Sequence, residues 1–295
     1  ALAVAVALKA GLFNIGISGQ MLAAGFIASI TVGYSTLPAP IAKPLVILIA
    51  IVIGGIVGAL IGWLKYQFNI NEVVSSIMLN YIIQYVVAFF INTKYVDPVS
   101  RQSTNISDAA RLTLMNTPIG GYKFDIPLGI VLALVMAFVI QFVFNKTTFG
   151  YELKAVGSNR KAAQYAGINV GKNMILAMLI SGALSGLAGA TYYLGYFCSI
   201  QPKVLAATGF DSIAVSLLGN SNPIGILFSS FLISVMGKGS TYMSSTAGLD
   251  AEIASVITGL ILLFSACGAF IRYKVKRAQD RIDEIEKNKG MEETK

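Results

Sequence analysis

Apolar residues run along this chain in blocks too long and too numerous for a globular core. The pattern predicts spans at residues 1–10, 13–33, 43–64, 73–93, 126–145, 173–196, 204–219, 223–242 and 250–270. A hydrocarbon layer about 30 Å thick is crossed by roughly 20 residues of helix. The first block reads as the end of a helix already under way, with a segment expected upstream of Ala1. Leu205 to Leu218 is short for a crossing, and Asn220-Ser221-Asn222-Pro223 separates it from the next block. Asn before a helix and Pro in its first turn are start signals. Two short spans or a re-entrant pair both fit there. The fold class expected is all-α: a polytopic helical membrane protein of about nine spans or half-spans.

Polar stretches punctuate the blocks at 94–125, 146–172 and 271–295, and they carry most of the charge. Residues 146–172, KTTFGYELKAVGSNRKAAQYAGINVGK, hold five basic residues and one acid, so they must lie in water at a membrane face. Within them, Lys161-Ala162-Ala163, three more residues and Gly167 read as a short helix ending at a glycine, available to a partner in solution. Basic residues accumulate on the cytoplasmic side. Placing 146–172 and the tail inside puts 15 of the 22 basic residues there, counting Lys9 and Lys65. Loop 94–125 is then extracellular, its four basic residues nearly balanced by Asp97, Asp108 and Asp125. The domain reading is a transmembrane region at 1–270 and a charged cytoplasmic tail at 271–295. The tail is either a lipid-surface anchor through Arg272, Lys274, Lys276 and Arg277 or a partner site.

Composition agrees with the membrane reading. Of 295 residues, 55% are hydrophobic and 12% charged, against about 25% charged in soluble domains. The membrane accounts for the net charge of +8 without nucleic acid. Cys198 and Cys267 are too isolated for a disulfide framework or a zinc site. There is no histidine, which removes imidazole catalysis, ligation and pH sensing. No phosphate-cradling GxxxxGK[ST] motif occurs, and no ladder of intramembrane acids suggests ion coupling. No cofactor, metal or catalytic residue is expected.

Three constellations carry candidate chemistry. In Asn14-Ile15-Gly16-Ile17-Ser18-Gly19-Gln20, glycines sit among polar groups. This is either a break lining a cavity or a helix start at the membrane face capped by Asn14. Ser76, Asn80 and Gln84 recur every four residues, with Tyr81 and Tyr85 beside them. That stripe either lines a path for a flat, hydroxyl-bearing heterocycle or bonds helices together. Glu72 is expected to cap the helix start. In Gly209-Phe210-Asp211-Ser212 through Gly219-Asn220, Asp211 is either an N-cap or an intramembrane functional group. The glycines at 54, 55, 58, 62, 182, 186 and 189 fall at helix-face spacing and are read as packing.

GLFNIGISGQ, NEVVSSIMLNYI and GFDSIAVSLLGNSNPIG, in that order, resemble signatures of permease subunits of bacterial ATP-binding-cassette importers. The superfamily is that of branched-chain amino acid, ribose and nucleoside permeases, and the branch is the nucleoside (guanosine-type) one. The resemblance covers nearly the whole chain. It implies about ten spans, a second permease subunit (identical or not), two cytoplasmic ATPase subunits and an extracellular lipid-anchored binding protein, in a bacterial plasma membrane. The importer docking loop, E-A-A-x-x-x-G, falls on Lys161, Ala162, Ala163 and Gly167, with Lys in place of the acid; Asn159 precedes it.

The function expected is alternating-access import of nucleosides, with ATP hydrolysis by the partner subunits moving the helix around 155–167. Asn14, Ser18, Gln20, Ser76, Asn80 and Gln84 are expected to line the path, with Ser212 and Asn220 as weaker candidates. A sugar or branched-chain amino acid cargo is the nearest alternative. An ion-coupled secondary transporter or a membrane scaffold would be a different class.

Overall fold

The computed structural model describes residues 1–119 and 122–248 continuously, then Asp250, Ile253, 255–261, 263, 264, 267, 274, 275 and 279. The expected span at 250–270 and the charged tail at 271–295 therefore fall largely outside the described residues. The chain divides into two compact units, 1–230 and 231–295. The first holds α1 (Leu2–Lys9), α2 (Ile17–Ala28), α3 (Ala39–Phe68), α4 (Glu72–Phe90), α5 (Leu128–Lys146), α6 (Thr148–Ser158), α7 (Arg160–Tyr165), α8 (Val170–Ala190), α9 (Ala207–Leu218) and the start of α10 (Pro223–Ala247). The second holds the rest of α10 and isolated helical positions beyond it.

Among the described residues five helices are long and apolar enough to cross a membrane: α3, α4, α5, α8 and α10, with α4 and α8 lengthened by π-helical turns through Tyr95 and Phe197. Their outer faces carry exposed Ile130, Val131, Phe138 and Phe142 on α5 and Phe228, Phe231 and Val235 on α10. Apolar surface of that extent belongs against lipid or other helices rather than water. One departure from the all-α expectation lies in the 94–125 loop. There β1 (Thr113–Ile119) and β2 (Tyr122–Pro127) pair antiparallel, and the β-branched, turn-rich sequence leads straight from β2 into α5. The loop is tied down over the helix ends: Leu112 N–H donates to the Leu194 carbonyl at 3.0 Å, and Ser107 N–H to that of Gly33 at 2.8 Å.

The core is the crossing of α3 and α8, the most extensive contact between any two elements. Gly54 faces Gly182 and Gly186, Gly58 faces Met178 and Gly182, and Gly62 faces Ile175. The pairing order shows that the two helices run antiparallel. A Cβ at Gly182 would overlap the Gly54 carbonyl, so the backbones touch directly and dispersion replaces side-chain burial. The packing expectation holds for these glycines. Gly55 makes only ordinary contacts, and Gly189 packs on Met21 of α2 instead.

Two membrane segments are not helical throughout. No helix forms between Lys9 and Ile17, so the expected continuous span at 13–33 begins with unwound chain. The second is 198–206, between α8 and α9. The α9–α10 connection confirms the Asn-Pro start signal: Asn222 Oδ1 accepts from Ile224 N–H at 3.0 Å, and Pro223 opens α10. Gly182→Leu is expected to lower the thermal midpoint of the detergent-solubilised protein by several degrees, as overpacking costs about 1–3 kcal/mol. Gly55→Ala, whose nearest non-local contacts are 3.6 Å away or more, serves as the control that leaves the midpoint in place.

Candidate functional site

The unwound segment before α2 passes through the protein interior. Asn14, Ser18 and Gln20 are all fully buried. Asn14 Nδ2 donates to Ser181 Oγ at 2.8 Å and to Gln20 Oε1 at 3.1 Å. Ser181 in turn donates to the Ala3 carbonyl at 2.7 Å. Ser181 lies about 16 Å along the 28-residue α8 span, at 1.5 Å per residue. The network therefore sits near the middle of the membrane. This overturns the alternative of a helix start at the membrane face capped by Asn14. The cap of α2 is Gly16, and Asn14 Oδ1 accepts instead from Gly16 N–H at 2.9 Å in a local turn.

Asn80 of α4 holds the break closed. Its Oδ1 accepts from Gly19 N–H at 2.9 Å and its Nδ2 donates to the Ile15 carbonyl at 3.0 Å. One amide thus satisfies a donor in the first turn of α2 and an acceptor in the unwound chain, groups that have no intrahelical partner. The four-residue stripe is real as a face. Ser76 is buried and returns its hydroxyl to the Val73 carbonyl. Gln84 is half-buried and donates to the Lys203 carbonyl. Tyr81 and Tyr85 stand on the neighbouring, exposed face. Glu72 does not cap α4; Asn71 does, and Glu72 pairs with Lys65 at 3.0 Å.

The second unwound segment meets the first. Ser18 donates to the Ala206 carbonyl at 2.9 Å, and Gly209 packs so closely on Ser18 that a Cβ there would overlap its hydroxyl. The N-termini of α2 and α9 thus abut at mid-membrane depth. Asp211 is not the N-cap of α9: the helix starts at Ala207 with Ala206 as its cap, leaving Asp211 one turn in and exposed. Ser212 is buried on the wall of a cavity of about 490 Å³ bounded by Ile17, Met21, Met136, Ser185 and Tyr192. Asn220 lies exposed in the left-handed turn after α9, away from this network.

The 146–172 stretch folds as two helices rather than one around 155–167. Asn159 is extended (φ −155°, ψ 109°) and breaks α6 from α7. Its side chain accepts from Lys161 N–H at 3.0 Å and Ala162 N–H at 3.1 Å, capping α7. Gly167, at φ +80°, ends the helix as its spacing predicts. Lys161 and Ala162 are exposed, but Ala163 is buried and seats α7 on the protein rather than facing outward. Tyr165 is 93% exposed. It falls on an x position of E-A-A-x-x-x-G, which carries no residue preference and so no signal in the sequence. Arg160 Nη2 donates to the Gly11 carbonyl at 3.0 Å. Gly157 lies against the Lys9 carbonyl and Gly11, so this surface touches the chain leading to Asn14.

The family model described as branched-chain amino acid transport system / permease component matches residues 1–266. The chain belongs to this permease family. It is 36% identical over 98% of its length to the nucleoside ABC transporter permease protein NupB of Lactococcus lactis, covering 82% of that protein. It is 38% identical over 92% of its length to the guanosine ABC transporter permease protein NupP of Bacillus subtilis, covering 78% of it. The glucose ABC transporter permease protein TsgB13 of Haloferax volcanii is 29% identical over 95% of this chain and 76% of its own. No solved structure matches. As a permease component the chain is a transport subunit, multi-pass in the membrane.

Within this permease, Asn80→Ala removes a side chain bonded to both Gly19 N–H and the Ile15 carbonyl. It is expected to destabilise the protein by about 1–3 kcal/mol, read as a lowered thermal midpoint in detergent. Ser76→Ala, which breaks only a bond within its own helix, is expected to leave the midpoint unchanged.

Proposed function

We propose that this permease carries nucleosides inward through the membrane as part of an ATP-driven importer, by alternating access. The similarity of nearly the whole chain to permeases named for nucleoside and guanosine transport carries this reading. Identity to the glucose permease is lower, so a sugar is the second cargo to test. The geometry supports alternating access, since two half-helices abutting in mid-membrane can part without breaking either α3 or α8. Transporters place binding sites at such discontinuities.

In this reading the 146–172 face and the C-terminus are cytoplasmic, and the hairpin-bearing loop 94–125 is extracellular. Cytoplasmic ATPase subunits dock on α7, where Lys161, Ala162 and Tyr165 offer the contact while Asn159, Ala163 and Gly167 shape it. A second permease subunit completes the path, and a lipid-anchored binding protein delivers the nucleoside from outside. Asn14, Ser18, Gln20, Asn80 and Gln84 control the path by holding the breaks together, and with Ser76, on the same α4 face as Asn80, they come to line it when the half-helices separate. Ser212, on the cavity wall, and Asn220, at the turn after α9, are assigned to the same path.

Uptake of labelled guanosine into proteoliposomes holding the assembled importer tests the cargo; accumulation of glucose or leucine with no nucleoside uptake would sink it. Tyr165→Ala is expected to weaken co-purification of the ATPase by about tenfold or more, as exposed aromatic anchors do, with the thermal midpoint unchanged. Arg160→Ala is expected to leave that co-purification intact while lowering nucleoside moved per ATP hydrolysed, because it cuts the tie to Gly11. An unchanged transport ratio would remove Arg160 from the coupling route.

A further inference from the structure

Asp211 is a carboxylate on the exposed side of a helix that begins in the middle of the membrane. Its depth follows from its neighbours: Gly209, two residues earlier, packs on Ser18, four residues along the chain from Asn14 and its mid-membrane bond to Ser181. Among the described residues Asp211 has no ion pair, and it does not cap its helix. A carboxylate at this depth is too costly to leave against lipid, so such groups face a water-filled path or a polar ligand. The unwound segment leading into its helix holds a second charge. Lys203 is exposed in the unwound segment 198–206, in left-handed backbone at φ +61°. Its carbonyl is bonded by Gln84 of α4, which brings this segment beside the α4 face bearing exposed Tyr81 and Tyr85. A carboxylate that accepts, an ammonium that donates and aromatic rings thus belong to two adjoining elements. Together they suit a neutral, flat ligand with paired hydrogen-bond donors.

We infer that Asp211 is a specificity-determining residue of the translocation path, accepting two adjacent donors of the nucleoside. The pair is either the ribose 2′,3′-diol or the N1–H and 2-amino edge of guanine. Both offer the same chemistry, two donors side by side, which is the arrangement a carboxylate accepts best. This assignment rests on the nucleoside reading above and deepens it. Lys203, in the unwound segment before α9, is the donor to the ligand's acceptors.

The test is uptake by the assembled importer in proteoliposomes, comparing guanosine, inosine and 2′,3′-dideoxyinosine, for the wild type, Asp211→Asn and Asp211→Glu. Contact with the diol predicts that the wild type prefers inosine over its dideoxy analogue by roughly 10- to 100-fold and that Asp211→Asn collapses that ratio. Contact with the guanine edge predicts instead that the collapsing ratio is guanosine over inosine. In either case Asp211→Glu, which keeps the carboxylate, retains more of the preference than Asp211→Asn. Asp211→Asn transporting all three nucleosides with wild-type ratios overturns the assignment, and so does a complex that no longer assembles, which would make Asp211 a contact to the second permease. A wild-type complex that moves no nucleoside at all overturns the cargo reading itself, an outcome separate from these.

Discussion

Everything distinctive about this protein depends on two pieces of unwound backbone being tolerated inside a membrane. Hydrocarbon offers no water to satisfy a peptide group, so each unpaired N–H or carbonyl there carries a penalty of several kcal/mol. The protein meets that constraint with a few side chains. Asn80 takes one donor and one acceptor at the first break, Asn14 closes its own turn, and Ser18 and Gln84 bond carbonyls of the second. The groups that stabilise the breaks are also the ones proposed to control the path, which would tie stability to transport. Changing one is expected to disturb both.

Around this soft centre stands a rigid frame. The α3–α8 crossing brings backbones into contact through glycine, a packing with little freedom to slide, whereas the α2–α9 junction is held by a hydroxyl and a close approach. The contrast locates motion: the half-helices can move while the glycine crossing stays. The route from the water-exposed α6–α7 face is short, since Gly157 and Arg160 bear on residues 9–11, three residues before Asn14. A tilt of α7 on its Asn159 hinge would therefore be felt at the buried network with few intermediaries.

Most of the architecture was legible in the chain. Apolar run length identifies α3, α4, α5, α8 and α10 because crossing a hydrocarbon layer has one dominant requirement. The glycine spacing marked the packed helix faces, the four-residue recurrence of Ser76, Asn80 and Gln84 marked a common face, and Gly167 marked the end of α7. The errors share a cause. Asn14, Glu72 and Asp211 were each open to a local capping role, yet Gly16, Asn71 and Ala206 hold those positions. A residue suited to capping does so only if the helix starts beside it, and propensity leaves that start uncertain by a residue or more. The β1–β2 hairpin escaped because a short pairing between loop segments leaves no long periodic signal.

Sequence by itself determined that the chain lives in a membrane, roughly where it crosses, and which residues are polar where polarity is costly. These follow from composition and period, which are properties of the chain alone. Whether a buried amide is a path-lining group, a helix cap or a clamp depends on which distant backbone atom lies within 3 Å of it. Asn80 and Ile15, or Ser18 and Ala206, are separated by 65 and 188 positions, and no local pattern encodes such a pairing. Only the tertiary structure decided that the two breaks meet, that Ala163 faces inward while Tyr165 faces out, and that Asp211 has no ion pair among the described residues.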